Sequence, residues 1–304
     1  MFTKSLLMSS LGLILSHIPV RADPIVYVVS AGLTGNGQVG TIDLTTGAYQ
    51  QIGPIEPDGY FGLASGTNGA LVAGTYAANL VSINPATGVN TGIGPTGLGP
   101  CVVPSSSCGA NSFGDLGGLN GKVYATDFQN NIYTVNPLSG AASLLNAHSG
   151  LPAIPFVPGT SNPDGTLNFY DEAIWGAGGK LYATFDTLIF DPNSNTVVST
   201  VIAPKLYQID PLTGAATVVG ATDLGIGAVV DLDGTSYAFN VDSDQIMSID
   251  LSSGKTTFVA NFDPAAGVIQ GAATVTPEPG SVTLAFLGLI GLAVWRQRQQ
   301  ITIA

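Results

Sequence analysis

The side chains best placed by type to do chemistry are carboxylates. Asp115 stands in the segment FGDLGG, and Asp171 and Glu172 are neighbours in YDEAIWG. Calcium takes about six to eight oxygen ligands, many of them carboxylate, so Asp115, Asp171 and Glu172 leave room for a calcium site if the fold gathers them. Such an ion would polarise a carbonyl and ready a water, the chemistry of a calcium-dependent hydrolase or lactonase. The spacing argues the other way. Aligning the segments puts Gly62, Gly114, Glu172 and Gly227 at one position and Leu63, Asp115, Ala173 and Ala228 at the next. Successive side chains of a strand point to opposite faces, so Asp115 and Glu172 are expected to diverge.

Other candidates carry less. DLDG at Asp231 and Asp233, and DSD at Asp242 and Asp244, lack the glycine spacing and terminal glutamate of a calcium-binding loop and read as turns. His148 beside Ser149 has no carboxylate arranged to orient it, so no nucleophile pair is expected, and no residue is assigned as catalytic.

These residues lie within a repeat. The stretches QVGTIDLTTGAYQQIG, NLVSINPATGVNTGIG, NIYTVNPLSGAASLLN, KLYQIDPLTGAATVVG and QIMSIDLSSGKTTFVA share an apolar residue, then Asp or Asn (Asp43, Asn84, Asn136, Asp210, Asp250), and four residues later glycine (Gly47, Gly88, Gly140, Gly214, Gly254). An Asx side chain can accept from the backbone just after it, and glycine takes the left-handed conformation that returns the chain. Each stretch is a β-hairpin. Upstream of each lies a further strand (PIVYVVS, GALVAGTY, GKVYATDF, GKLYATFD, GTSYAFNV), and before four of these a short apolar one.

Four antiparallel strands in a unit of about forty residues predict an all-β fold, a β-propeller with five four-stranded blades. The first unit lacks its innermost strand, and a lone strand, 267–275, follows the last. Pairing that C-terminal strand into the first blade would close the ring and remove two exposed edges. An insertion is expected near 188–203 in blade four. Cys101 and Cys108, in CVVPSSSC between the second and third units, read as a local disulfide in an exported chain.

Charge limits the partners. Lys122, Lys180, Lys205 and Lys255 are the cations between the two ends, with no arginine, against every acidic residue except Glu278. Nucleic acid and other polyphosphates need clustered Lys and Arg, so the body is expected to bind no nucleic acid. Neutral sugars and divalent cations remain open, with no cofactor assigned beyond calcium. At the N-terminus, Lys4, the apolar run 6–20 and the small residues around Arg21 read as a signal peptide, 1–22, cut after Ala22.

After the ectodomain, 23–276, comes a tail, 277–304. Pro277-Glu278-Pro279 precedes an apolar run from Val282 to Trp295 and a basic stop at Arg296 and Arg298. The three elements in this order resemble the sorting tail of PEP-CTERM surface proteins of Gram-negative bacteria that build exopolysaccharide. The departures are Thr276 before the tripeptide, Gln297 within the basic stop and the residues after it. The resemblance implies recognition by an exosortase, transient anchoring in the inner membrane by a transmembrane helix, removal of the tail, and release to the cell surface or matrix. As a helix the run 282–295 spans about 21 Å, short of the roughly 30 Å hydrocarbon core, which suits a segment held briefly. A plain membrane anchor is the competing reading.

The expectation is therefore an exported surface or matrix propeller with a non-enzymatic binding or structural role linked to exopolysaccharide in biofilm, with polysaccharide or surface proteins as partners. The alternative is the calcium-dependent propeller hydrolase or lactonase.

Overall fold

A computed structural model describes residues 24–31, 36–66, 69–101, 108–109, 111–147, 149–154, 160–191, 193–194, 196–223 and 225–275. The expected signal peptide, His148, the tripeptide, the apolar run and the basic stop lie outside the described residues. Among those described, no helix is long and apolar enough to cross a membrane.

The strands run in chain order as β1 (Ile25–Ala31), β2 (Gly37–Asp43), β3 (Tyr49–Gln51), β4 (Tyr60–Ser65), β5 (Leu71–Thr75), β6 (Asn79–Ile83), β7 (Asn90–Pro95), β8 (Phe113–Leu119), β9 (Lys122–Asp127), β10 (Ile132–Val135) and β11 (Ala142–Asn146). They continue as β12 (Leu167–Ala177), β13 (Lys180–Asp191), β14 (Thr196–Ile209), β15 (Ala216–Ala221), β16 (Ile226–Leu232), β17 (Thr235–Asn240), β18 (Gln245–Ile249), β19 (Thr256–Asn261) and β20 (Val268–Ala273). They form five four-stranded antiparallel sheets, β20-β1-β2-β3, β4 to β7, β8 to β11, β12 to β15 and β16 to β19, which are blades 1 to 5. The innermost strands β20, β4, β8, β12 and β16 contact one another in a ring. Blade 1 takes its inner strand from the end of the chain, with Tyr27 opposite Ala273 and Val28 opposite Ala272. The ring closes as the sequence predicts.

The repeated turn works as its residues dictate. The Asx side-chain oxygen accepts from the main chain two residues on, at 2.7 Å for Asp43–Thr45 and 2.9, 2.9, 2.8 and 2.9 Å for Asn84–Ala86, Asn136–Leu138, Asp210–Leu212 and Asp250–Ser252. The glycine N–H returns to the Asx carbonyl each time, as from Gly47 to Asp43 at 2.7 Å. All five glycines have positive φ, between 66° and 81°. They have a second role that the sequence hides: each packs against the preceding blade. A Cβ on Gly47 would run into the Asn261 carbonyl of blade 5, and one on Gly140 into the Gly94 carbonyl of blade 2.

The core is divided by the same geometry. It consists of five apolar clusters, one at each blade interface: Val29, Val39, Leu63 and Leu71 between blades 1 and 2, for instance, and Val28, Ile42, Val230 and Phe239 between blades 5 and 1. Burying a side chain of this size contributes roughly 1.5–3 kcal/mol, so stability is spread around the ring. Cys101 and Cys108 form the expected disulfide, and both sulfurs join the cluster between blades 2 and 3. The insertion in blade 4 is strand: β13 and β14 continue outward as one long hairpin, with Leu188 opposite Thr200 and Phe190 opposite Val197.

Candidate functional site

Inner strands converge on the axis, so their main chains nearly touch. A Cβ on Gly117 would meet the Ile174 carbonyl and one on Gly271 the Leu63 amide. Glycine and alanine prevail there for steric reasons. The register with the second strand slips in four of the inner strands, at Gly62 in β4, at Gly114 and Asp115 in β8, at Gly227 in β16 and at Gln270 in β20. β12 pairs with β13 without a slip.

These bulges undo the expected divergence of Asp115 and Glu172. An extra residue re-aims the side chains that follow it. Asp115 therefore turns toward blade 4, where its carboxyl accepts the Ile174 N–H at 2.8 Å. Glu172 faces back toward blade 3, close enough for the Asp115 carboxyl to raise its pKa. Asp171, next in the chain, points to the other side of the strand. Its neighbours are Asp186, its cross-strand partner on β13, and Asp242 in the turn after β17. The three carboxylates singled out by type thus split between the two interfaces that flank β12.

Gly114, Asp115, Tyr170, Asp171, Glu172, Gly227 and Gln270 line a narrow cavity on the axis with room for about one water molecule. Asp115 is held by main-chain N–H groups of Leu116 and Ile174, yet burial still lifts its pKa well above the usual range. Glu172 is 5 % exposed, and neither of its carboxylate oxygens has a hydrogen-bond partner. The Thr126 hydroxyl, which accepts the Asp115 N–H at 2.9 Å and keeps its own O–H to donate, lies nearby and lowers the Glu172 pKa somewhat. Burial, then the Asp115 charge, hold Glu172 well above its ordinary value. Asp171 keeps partial solvent access along the channel but lies deep among protein atoms; burial raises it, with Asp186 and Asp242 adding repulsion. Asp186 is raised to about 7 by burial, against the pull of the Gly225 N–H at 3.1 Å, with Asp242 adding repulsion. Burial, then the nearby carboxyls, hold the Tyr170 phenol above its ordinary value.

Among the described residues, no three His, Cys, Asp or Glu side chains group closely enough to hold a metal ion. The other sequence candidates are structural. Asp233 and Asp244 occupy left-handed turn positions, with φ of 52° each. Ser149 is buried and bonds the Asn130 carbonyl at 2.7 Å. Asp186 and Asp242 are the site residues that sequence reasoning misses: the first sits within the insertion's strand, and the second reads as a turn residue.

No curated protein matches the chain. Solved structures that resemble it share little sequence. A chain of the nidogen/laminin complex is 12% identical, with 83% of this chain and 99% of that one covered at a TM-score of 0.47. The calcium-binding protein regucalcin from Agrobacterium tumefaciens is 14% identical, with 84% and 79% covered and a TM-score of 0.40. The PQQ-bound aldose sugar dehydrogenase from Streptomyces coelicolor is 16% identical, with 71% of each chain covered and a TM-score of 0.41. Likenesses this distant do not transfer a ligand or a reaction. The family comparison is informative at the other end of the chain, where residues 275–299 match the PEP-CTERM protein-sorting motif. Such a motif implies export and processing by an exosortase at the membrane. The chain is therefore a five-bladed β-propeller that carries a PEP-CTERM sorting motif directly after its last strand.

Proposed function

We propose that this protein is a non-enzymatic binding or structural component of the cell surface or extracellular matrix, delivered there by removal of its sorting tail and linked to exopolysaccharide. The observation that carries this reading is the position of the motif: 275–299 begins just after β20, the strand that completes the ring, so cutting there would release a whole propeller. The channel supports a non-catalytic role. Its cavity has room for about one water, which leaves no space for a substrate beside Asp115 and Glu172.

The test replaces Pro277-Glu278-Pro279 by alanines, leaving the apolar run and the arginines intact. In cells that make an exosortase, the wild type should appear at the surface or in the matrix with an intact mass lacking 282–295. The triple variant should stay full length in the inner membrane. If both remain full length in a host that processes other such tails, the chain is membrane-tethered and the reading fails.

A further inference from the structure

Blade 2 departs from the repeat at one point. Two residues before the apolar residue of each repeated turn, the third strand faces the fourth in the pairs Gly40–Gln51, Val81–Gly92, Tyr133–Leu144, Tyr207–Val218 and Met247–Phe258. Directly opposed residues share a face of the sheet. In blades 3 to 5 the outer member is a large apolar side chain, and in blade 2 it is glycine. A Cβ on Gly92 would meet nothing within 4 Å. Blade 1 does little to cover the gap, because its outer strand β3 has 3 residues where β7 has 6.

The result is an open groove of about 470 Å³ beside the interface of blades 1 and 2. That is within the range of small-ligand sites. Glu56 and Asp58 stand on one wall, Asn79 and Asn90 on the other, with Val81 and Ile93 as apolar surface. The wall is fixed: Glu56 exchanges main-chain hydrogen bonds with Gly37 at 2.8 and 2.9 Å, and Asn90 donates to the Tyr60 hydroxyl at 3.0 Å. Thr75 lines the groove and is 4 % exposed, yet its hydroxyl has no hydrogen-bond partner. A buried polar atom left unpaired is costly, so a hydroxyl held in this state calls for a partner that the described residues do not supply.

We propose that this groove, where Glu56, Asp58 and the unpaired Thr75 hydroxyl meet the gap left by Gly92, binds a neutral glycan chain through its sugar hydroxyls. The proposal rests on the matrix-protein reading above and assigns it a site. Carboxylates and amides accept from hydroxyl donors, and an open groove admits a segment of a chain. Phosphate, sulfate and uronate ligands are disfavoured, since 24–101 contains no lysine, arginine or histidine beside these acids. A bound cation is disfavoured because no three metal-ligating side chains group among the described residues.

The experiment is calorimetric titration of the full chain with neutral hexose oligomers (cellohexaose, maltohexaose, mannohexaose), with hexalysine and calcium chloride as competing probes. The wild type should bind at least one oligomer, with an affinity that does not change with salt. E56Q, which turns a charged acceptor into a neutral one, and T75V, which removes the hydroxyl, should each weaken binding by about tenfold. G92F should block it by filling the groove. T75V should melt at or above the wild-type temperature, since it removes an unpaired hydroxyl, so loss of binding there cannot be loss of fold. Failure to bind any of the oligomers at millimolar concentration overturns the proposal. So does binding that all three variants leave intact, salt-sensitive binding of hexalysine alone, or calcium binding lost in E56Q. None of these outcomes touches the tail-processing result, which stands or falls on the intact mass.

Discussion

Asp171 and Asp186 stand directly opposite one another on β12 and β13, two carboxyls on one face of a sheet, with Asp242 of blade 5 adding to their repulsion. Both are raised from the ordinary 3.8, Asp186 to about 7, and Asp115 and Glu172 on the far side of β12 are raised as well. A carboxyl whose folded pKa exceeds its unfolded value binds its proton more tightly in the folded state. Its stabilising effect is complete below the unfolded pKa and is lost as pH rises through the folded one. The propeller should therefore melt highest near pH 4 and lose several degrees between pH 5 and 8. D186N, whose amide oxygen can still accept the Gly225 N–H, should flatten that slope. A melting temperature that rises from pH 5 to 8 would refute the assignment.

Ring closure makes β20 indispensable. Ile269 and Ala272 belong to the cluster between blades 5 and 1, and Ala273 to the one between blades 1 and 2, so a single strand serves two interfaces. A chain ending before Gly267 should fail to give a cooperative melt, whereas one ending after Val275 should melt as the wild type does. Equal melting of the two truncations would sink the closure.

The two roles of the turn glycines can be separated. Gly47 and Gly165 both have positive φ, 73° and 86°, but a Cβ on Gly47 would clash with Asn261, while one on Gly165 would meet nothing within 4 Å. G165A should cost about 1 kcal/mol, the backbone term alone. G47A should cost roughly 3 kcal/mol, because the blade 5 to blade 1 contact must also open. Denaturant midpoints measure the difference, and equal losses would show that the glycine serves only its own turn.

The blades are legible in the sequence because their turns depend on local chemistry. An Asx residue, its main-chain neighbours and a glycine four residues on decide the hairpin with no help from elsewhere. The channel is less legible. A one-residue bulge such as that at Gly114 and Asp115 leaves no composition signal, yet it reverses which side chains face each other, and so Asp115 and Glu172 meet although alternation separates them. Asp186 is hidden because the long hairpin of blade 4 obscures its register with Asp171. The groove has a readable trace. When the five repeats are stacked, Gly92 falls in the column of Leu144, Val218 and Phe258, and its meaning depends only on knowing that this column covers the blade.

Closure by β20 also sets an orientation. Tyr27 and Ala273 are partners across β1 and β20, so the chain enters and leaves the propeller at adjacent points on one end of one strand pair. From Ala273 to the tripeptide at 277–279 the chain can reach at most about 20 Å when fully extended. If a membrane holds the tail, as the proposed sorting requires, it would hold the propeller close and by one rim, with the opposite rim turned outward before any cut. A protease would then work within a short gap under a folded body, and the cut end would lie beside the strand that locks the ring.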